Sequence, residues 1–131
     1  MSNKIAFVVE DEPTYQFIIA NHLRKKYGFD VRCFSNGDKC LEHLTENPSV
    51  IVLDYFLEDG SSSILNGLDL FKIIKRMSLN TKVVMMTAQD DVEVFLEMLK
   101  NGVRDYVIKN EQSLTELDEC FQGLFEATEA A

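Results

Sequence analysis

Val50-Ile51-Val52-Leu53-Asp54, the stretch VIVLD, is a continuous apolar run that follows Pro48 and stops on a carboxylate. A strand with one face in water alternates apolar and polar residues, whereas a strand covered on both faces reads as uninterrupted Val, Ile and Leu. VIVL is therefore expected as the central strand of a sheet held between helices. Lys4–Val9 (KIAFVV) before it and Lys82–Thr87 (KVVMMT) after it have the same character. Each of the three is followed by apolar residues at helical spacing: Tyr15, Ile18, Ile19, Leu23 and Tyr27; then Leu68, Phe71, Ile74 and Met77; then Val92, Phe95, Met98 and Leu99. Two further strand and helix pairs complete the pattern, FDVRCF with Cys40, Leu41 and Leu44, and RDYVIK with Leu114, Leu117, Phe121, Leu124 and Phe125.

Punctuation agrees with these limits. Pro13 suits a first helical turn and Gly28 a helix exit, Ser35 is a plausible N-cap, Asn66-Gly67 reads as the entry to the third helix and Asn101-Gly102 as the exit of the fourth. Tyr55–Asn66 is long for an α/β connection, and its GSSS is most simply a loop tip. The tail EATEAA reads as frayed. Five such pairs in 131 residues imply an α/β fold, a five-stranded parallel sheet with helices on both faces, formed as one domain over residues 1–131.

Composition narrows the function. A net charge of −9 opposes direct nucleic-acid binding, which needs Lys and Arg against phosphates, and suits a protein partner or a bound cation. No apolar run approaches the roughly 20 residues of a membrane span and MSNKIAFVVE does not resemble a signal peptide, so a cytoplasmic protein without membrane contact is expected. The three cysteines, Cys33, Cys40 and Cys120, lack C-x-x-C spacing and are expected to be reduced and structural. His22 and His43, on helices away from the strand ends, are expected at the surface.

In a parallel sheet all strands end at one edge, and ligands bind in the crevice there. The first strand ends in Glu10 and Asp11, the third in Asp54, the fourth in Thr87 and the fifth in Lys109. Consecutive carboxylates repel, by roughly 4 kcal/mol for unit charges 4 Å apart at an effective dielectric of 20. Glu10, Asp11 and Asp54 offer the hard oxygen ligands that Mg²⁺ takes, which would offset that repulsion, while Glu12 is expected to face solvent in the first helical turn. A carboxylate beside Mg²⁺ is a candidate nucleophile for phosphoryl transfer, and Asp54, at the end of the most apolar strand, is the best placed. Lys109 and Mg²⁺ would neutralise phosphoryl oxygens, and the Thr87 hydroxyl would donate to one of them.

The set Glu10-Asp11, Asp54, Met86-Thr87-Ala88 and Asp105-Tyr106-Val107-Ile108-Lys109 resembles the receiver domain of two-component response regulators over nearly the whole chain. The resemblance implies the doubly wound, flavodoxin-like strand order 2-1-3-4-5 of chemotaxis-type regulators. It implies phosphoryl transfer to Asp54 from a histidine kinase or histidine phosphotransfer protein. Mg²⁺ would be held by Asp11, Asp54 and the Phe56 backbone carbonyl, with Glu10 acting mainly through water. Thr87 and Tyr106 would be the switch pair, altering a surface of helix four, strand five and helix five that meets a downstream protein target and leaves a homodimer open. Such a domain is a phosphoacceptor in signalling, not an enzyme with a separate substrate.

Three positions depart from the family pattern: Glu10 stands where Asp is usual, Glu58 where a proline makes a tight turn in a shorter loop, and Asn110 where proline follows the lysine. A cis peptide after Lys109 is then disfavoured, at about 3 kcal/mol for a non-proline bond. Phe56 and Gln89 hold the positions that influence water near the phosphate, and a slowly hydrolysing phosphoaspartate is expected. A haloacid-dehalogenase-like phosphohydrolase would need an Asp where Phe56 stands, and a flavodoxin-like cofactor site would place phosphate against Glu10-Asp11-Glu12. A pseudo-receiver, acting as an interaction module without phosphorylation, is the remaining alternative.

Overall fold

The computed structural model describes residues 4–57, 66–78, 80–88 and 92–126. The elements are β1 (Ile5–Val9), α1 (Pro13–Tyr27), β2 (Asp30–Phe34), α2 (Gly37–Glu42), β3 (Val50–Asp54), α3 (Gly67–Met77), β4 (Lys82–Thr87), α4 (Val92–Lys100), β5 (Tyr106–Ile108) and α5 (Ser113–Phe121). A 3₁₀ turn at Leu44–Glu46 follows α2, and a π-helical turn at Gln122–Glu126 continues α5. The strands form one parallel sheet in the order β2-β1-β3-β4-β5, the doubly wound arrangement expected.

Because side chains alternate along a strand, the sheet sorts its residues into two cores. Phe7, Val9, Ile51, Leu53, Val83 and Met85 pack with Cys40, Leu68, Phe71, Ile74 and Met98, on the side of α2, α3 and α4. Ala6, Val8, Val50, Val52, Val84, Met86 and Val107 pack with Ile19, Ala20, Leu23, Leu117 and Phe121, on the side of α1 and α5. All five residues of β3 are buried: Val50, Ile51, Val52 and Leu53 as their unbroken apolar pattern requires, and Asp54 at the end with them.

Several local expectations change. The cap of α2 is Asn36, whose side chain accepts from Lys39 N at 2.9 Å, in place of Ser35. The fifth strand contracts from Arg104–Lys109 to Tyr106–Ile108. Ile18 is exposed, because α1 turns Ile19, Ala20 and Leu23 inward. Pro13 opens α1, and Gly28 closes it at φ 72°, a left-handed conformation that glycine adopts without a side-chain clash. Glu58, Gln89, the GSSS tip and the tail beyond Glu126 lie outside the described residues.

His22 is not a free surface residue. Asp118 of α5 receives His22 Nε2 at 2.8 Å, Lys26 Nζ at 2.8 Å and Tyr27 OH at 2.5 Å, all from α1. Below this clasp Tyr27, Phe29, Phe121 and Phe125 pack ring on ring, with centroids 5.0 to 6.2 Å apart. Partial burial works to raise the Asp118 pKa, but bonds from Lys26, Tyr27 and His22 outweigh it and bring it to about 2. Burial and the bond to Asp118 raise the Tyr27 phenol above its ordinary range.

Gly67 is fixed by close approach. A Cβ there would lie 2.2 Å from the Asp54 carbonyl oxygen and 2.6 Å from Tyr55 Cα, while Gly67 N donates to Tyr55 O at 3.0 Å.

Two outcomes follow. Gly67→Ala forces α3 or the Asp54-Tyr55 backbone to shift, and chemical denaturation should show a loss of about 1–3 kcal/mol. Asp118→Asn should cost about 1–3 kcal/mol at pH 7. A carboxylate with a lowered folded pKa stabilises above its unfolded pKa, so the wild-type excess over Asp118→Asn should shrink as pH falls from about 4 toward about 2.

Candidate functional site

The alternation that builds the two cores also selects what meets at the strand ends. Continuing the phase of Ala6 and Val8 gives Glu10, that of Val50 and Val52 gives Asp54, and that of Val107 gives Lys109, all toward the α1 and α5 side. These three side chains converge. Lys109 Nζ donates to Glu10 Oε1 and lies 3.3 Å from Asp54 Oδ1. Glu10 is 2 % exposed, Asp54 5 % and the Lys109 side chain 12 %, so water screens this contact weakly.

Backbone bonds fix each member. Glu10 N donates to Phe34 O at 2.9 Å, and Gln16 Nε2 of α1 donates to Glu10 O at 2.9 Å. The longer Glu10 arm curls back, so that Oε2 accepts from Glu12 N at 3.1 Å. Asp54 Oδ1 accepts from Phe56 N at 3.2 Å, and Tyr55 N donates to Met86 O at 2.7 Å. Lys109 N donates to Thr87 O at 2.8 Å, extending the β4 and β5 ladder by one residue past β5.

One ligand oxygen from each of Glu10, Asp11 and Asp54 lies within 4.8 Å of the others. Lys109 meets the carboxylates of Glu10 and Asp54, and Asp11 adds a third acidic group to the cluster. Burial, then the charge of Glu10, push the Asp54 carboxyl up to about 7 against the pull of Lys109. Burial works against the Lys109 charge, yet bonding to Glu10 and the Asp54 charge prevail and raise its pKa. The donor set is all oxygen, anionic and anchored from two strands, which fits a hard divalent cation such as Mg²⁺.

Glu12 is exposed, as expected, but its position is the N-cap of α1 and not the first turn. Its carboxylate accepts from Thr14 N at 3.2 Å and Tyr15 N at 2.7 Å, and those backbone bonds lower its pKa. Glu10, Asp11, Glu12, Asp54, Phe56, Ala88 and Lys109 line an open cavity of about 400 Å³. Phe56, partly exposed, packs edge-on to Tyr55 at 4.7 Å.

Thr87 and Tyr106 fall on the other phase, with Val83 and Met85. Thr87 is buried at the end of β4, and Tyr106 packs against Phe95 of α4 with ring centroids 5.3 Å apart. No peptide bond among the described residues is cis, so Lys109-Asn110 is trans. Burial raises the Cys40 thiol to about 12 and that of Cys120 to about 11, in keeping with unreactive cysteines. Three residues near the site carried no sequence signal for it: Gln16, Tyr15 and Ser113. Tyr15 reads only as part of the apolar stripe of α1, and its partner Ser113 is 98 positions away.

No helix among the described residues is long and apolar enough to cross a membrane. Transcriptional regulatory protein PhoP of Bacillus subtilis is 32 % identical over 108 residues, covering 82 % of this chain and 42 % of PhoP. Nitrogen assimilation regulatory protein NtrX of Azorhizobium caulinodans is 31 % identical over 103 residues, 78 % of this chain and 22 % of NtrX. The chain thus spans less than half the length of these curated relatives. A receiver domain protein from Methanospirillum hungatei superposes with a TM-score of 0.80 at 20 % identity, covering 99 % of this chain and 100 % of that one. The NtrX receiver domain from Brucella abortus gives 0.77 at 24 % identity, covering 91 % and 97 %. At these identities the structural likeness establishes the fold. The sequence profile of the response regulator receiver domain matches residues 6–120, and with that match the chain belongs to the receiver domain family of two-component response regulators.

Proposed function

We propose that Asp54 is the phosphoacceptor, receiving a phosphoryl group from a histidine kinase or histidine phosphotransfer protein. The observation that carries this reading is the buried Asp54 carboxylate held at a cavity with Glu10, Asp11 and Lys109. An Asp54 oxygen bonds to phosphorus as the phosphorus–nitrogen bond of the donor imidazole breaks, and the bonding pair leaves with the ring. Mg²⁺, held by Asp11, Asp54 and the Phe56 carbonyl with Glu10 in support, would neutralise carboxylate and phosphoryl charge. Lys109, already 3.3 Å from Asp54, follows the new oxygens as its carboxylate partners change.

Phe17 and Ile18, exposed on α1 one to two turns beyond Glu12, offer a donor domain apolar surface. A phosphate of about −2 charge offers strong acceptors. Thr87 turns to donate to it, and Tyr106, leaving Phe95, fills the vacated space. The change reaches α4, where Val92, Leu96 and Leu99 are exposed, and this surface with β5 and α5 meets the downstream protein.

The test is intact mass after incubation with Mg²⁺ and acetyl phosphate or phosphoramidate. One phosphoryl group should be gained, absent from Asp54→Ala and with a chelator, and Lys109→Ala should slow the gain by about 10²-fold. No gain in folded, Mg²⁺-binding protein would overturn the reading in favour of a pseudo-receiver. Mg²⁺ alone should raise the melting temperature in proportion to the logarithm of its concentration above Kd, and Asp11→Asn should abolish most of that rise.

A further inference from the structure

We infer that Tyr15 is a positioning residue for Lys109 and is itself held by Ser113. This rests on the reading of Lys109 as the cation that follows the phosphoryl group. Lys109 Nζ lies 4.8 Å from the centroid of the Tyr15 ring, so the ammonium sits between a ring face and the carboxylates of Glu10 and Asp54. The Tyr15 hydroxyl in turn meets Ser113 Oγ at 2.8 Å, with Ser113 buried at the start of α5.

The sequence between Lys109 and Ser113 is built to this end. Asn110 follows the lysine through a trans bond, its Oδ1 accepts from Gln112 N at 2.7 Å, and its carbonyl accepts from Ser113 N at 3.1 Å. Asn110 thereby folds the chain into α5 and brings Ser113 under Tyr15. A lysine ammonium is a point charge on a flexible stem, and its anionic partners change when a phosphoryl group arrives. The ring face is neutral and common to both states. It attracts the cation whichever carboxylate or phosphoryl oxygen lies opposite, and so keeps the stem in place.

The measurement pairs a spectrum with a rate. Lys109 ε-methylene protons, assigned by their loss in Lys109→Arg, should resonate upfield of free lysine through the Tyr15 ring current. They should do so in wild type and Tyr15→Phe and return toward the free value in Tyr15→Leu. At saturating Mg²⁺ and acetyl phosphate, Tyr15→Leu should be phosphorylated about three- to tenfold more slowly. Tyr15→Phe should restore most of the rate, and Tyr15→Phe with Ser113→Ala should be no slower than the slower single variant, since both remove one hydrogen bond. An unshifted Lys109 resonance in wild type, or equal rates for wild type and Tyr15→Leu, overturns the inference. Wild type that takes no phosphoryl group defeats the phosphoacceptor reading instead, and the resonance then decides by itself whether Tyr15 holds Lys109.

Discussion

The ammonium of Lys109, set between Glu10 and Asp54, is the contact on which the rest of the site depends. Two carboxylates that are nearly excluded from water would otherwise repel across a low dielectric, which makes it costly to hold the ends of β1 and β3 side by side with both charged. Lys109 answers this only in part. Asp54 still feels burial and Glu10 strongly enough to reach a pKa of about 7, a site held short of positive charge. A bound cation would make good that shortage, as the proposed phosphoacceptor role of Asp54 requires.

Strand alternation divides the labour. Glu10, Asp54 and Lys109 share the phase of the α1 and α5 core, while Thr87 and Tyr106 share the phase of the α4 core. The proposed chemistry therefore faces a layer tied together by the Asp118 clasp and a cluster of aromatic rings. The proposed response faces the layer where Tyr106 meets Phe95 and where α4 exposes Val92, Leu96 and Leu99. A tightly bonded layer thus lies under the groups proposed to react, and an exposed apolar helix face over those proposed to respond.

The sheet was legible because its signal is local and repeated: VIVL, KIAFVV and KVVMMT read as buried strands, and the acids after two of them name the edge. The grouping of Glu10, Asp11 and Asp54 followed from parallel topology alone. What stayed hidden depended on distant pairs or on side-chain competition. His22 reads as surface until Asp118, 96 residues on, is placed beside it. Ser35 and Asn36 are both competent caps, and only the backbone decides between them. Tyr15 carries an apolar ring and a polar tip, and its periodicity reports the ring alone.

Gly67 has a consequence for how this chain tolerates length. Its amide closes on the Tyr55 carbonyl, and Tyr55 is itself bonded to Met86, so the connection leaving β3 is stapled shut at its base. Closure entropy grows slowly with length, about 0.6 kcal/mol for each doubling. Residues added between Tyr55 and Gly67 therefore cost little in closure and leave the backbone bonds at the end of β3 in place.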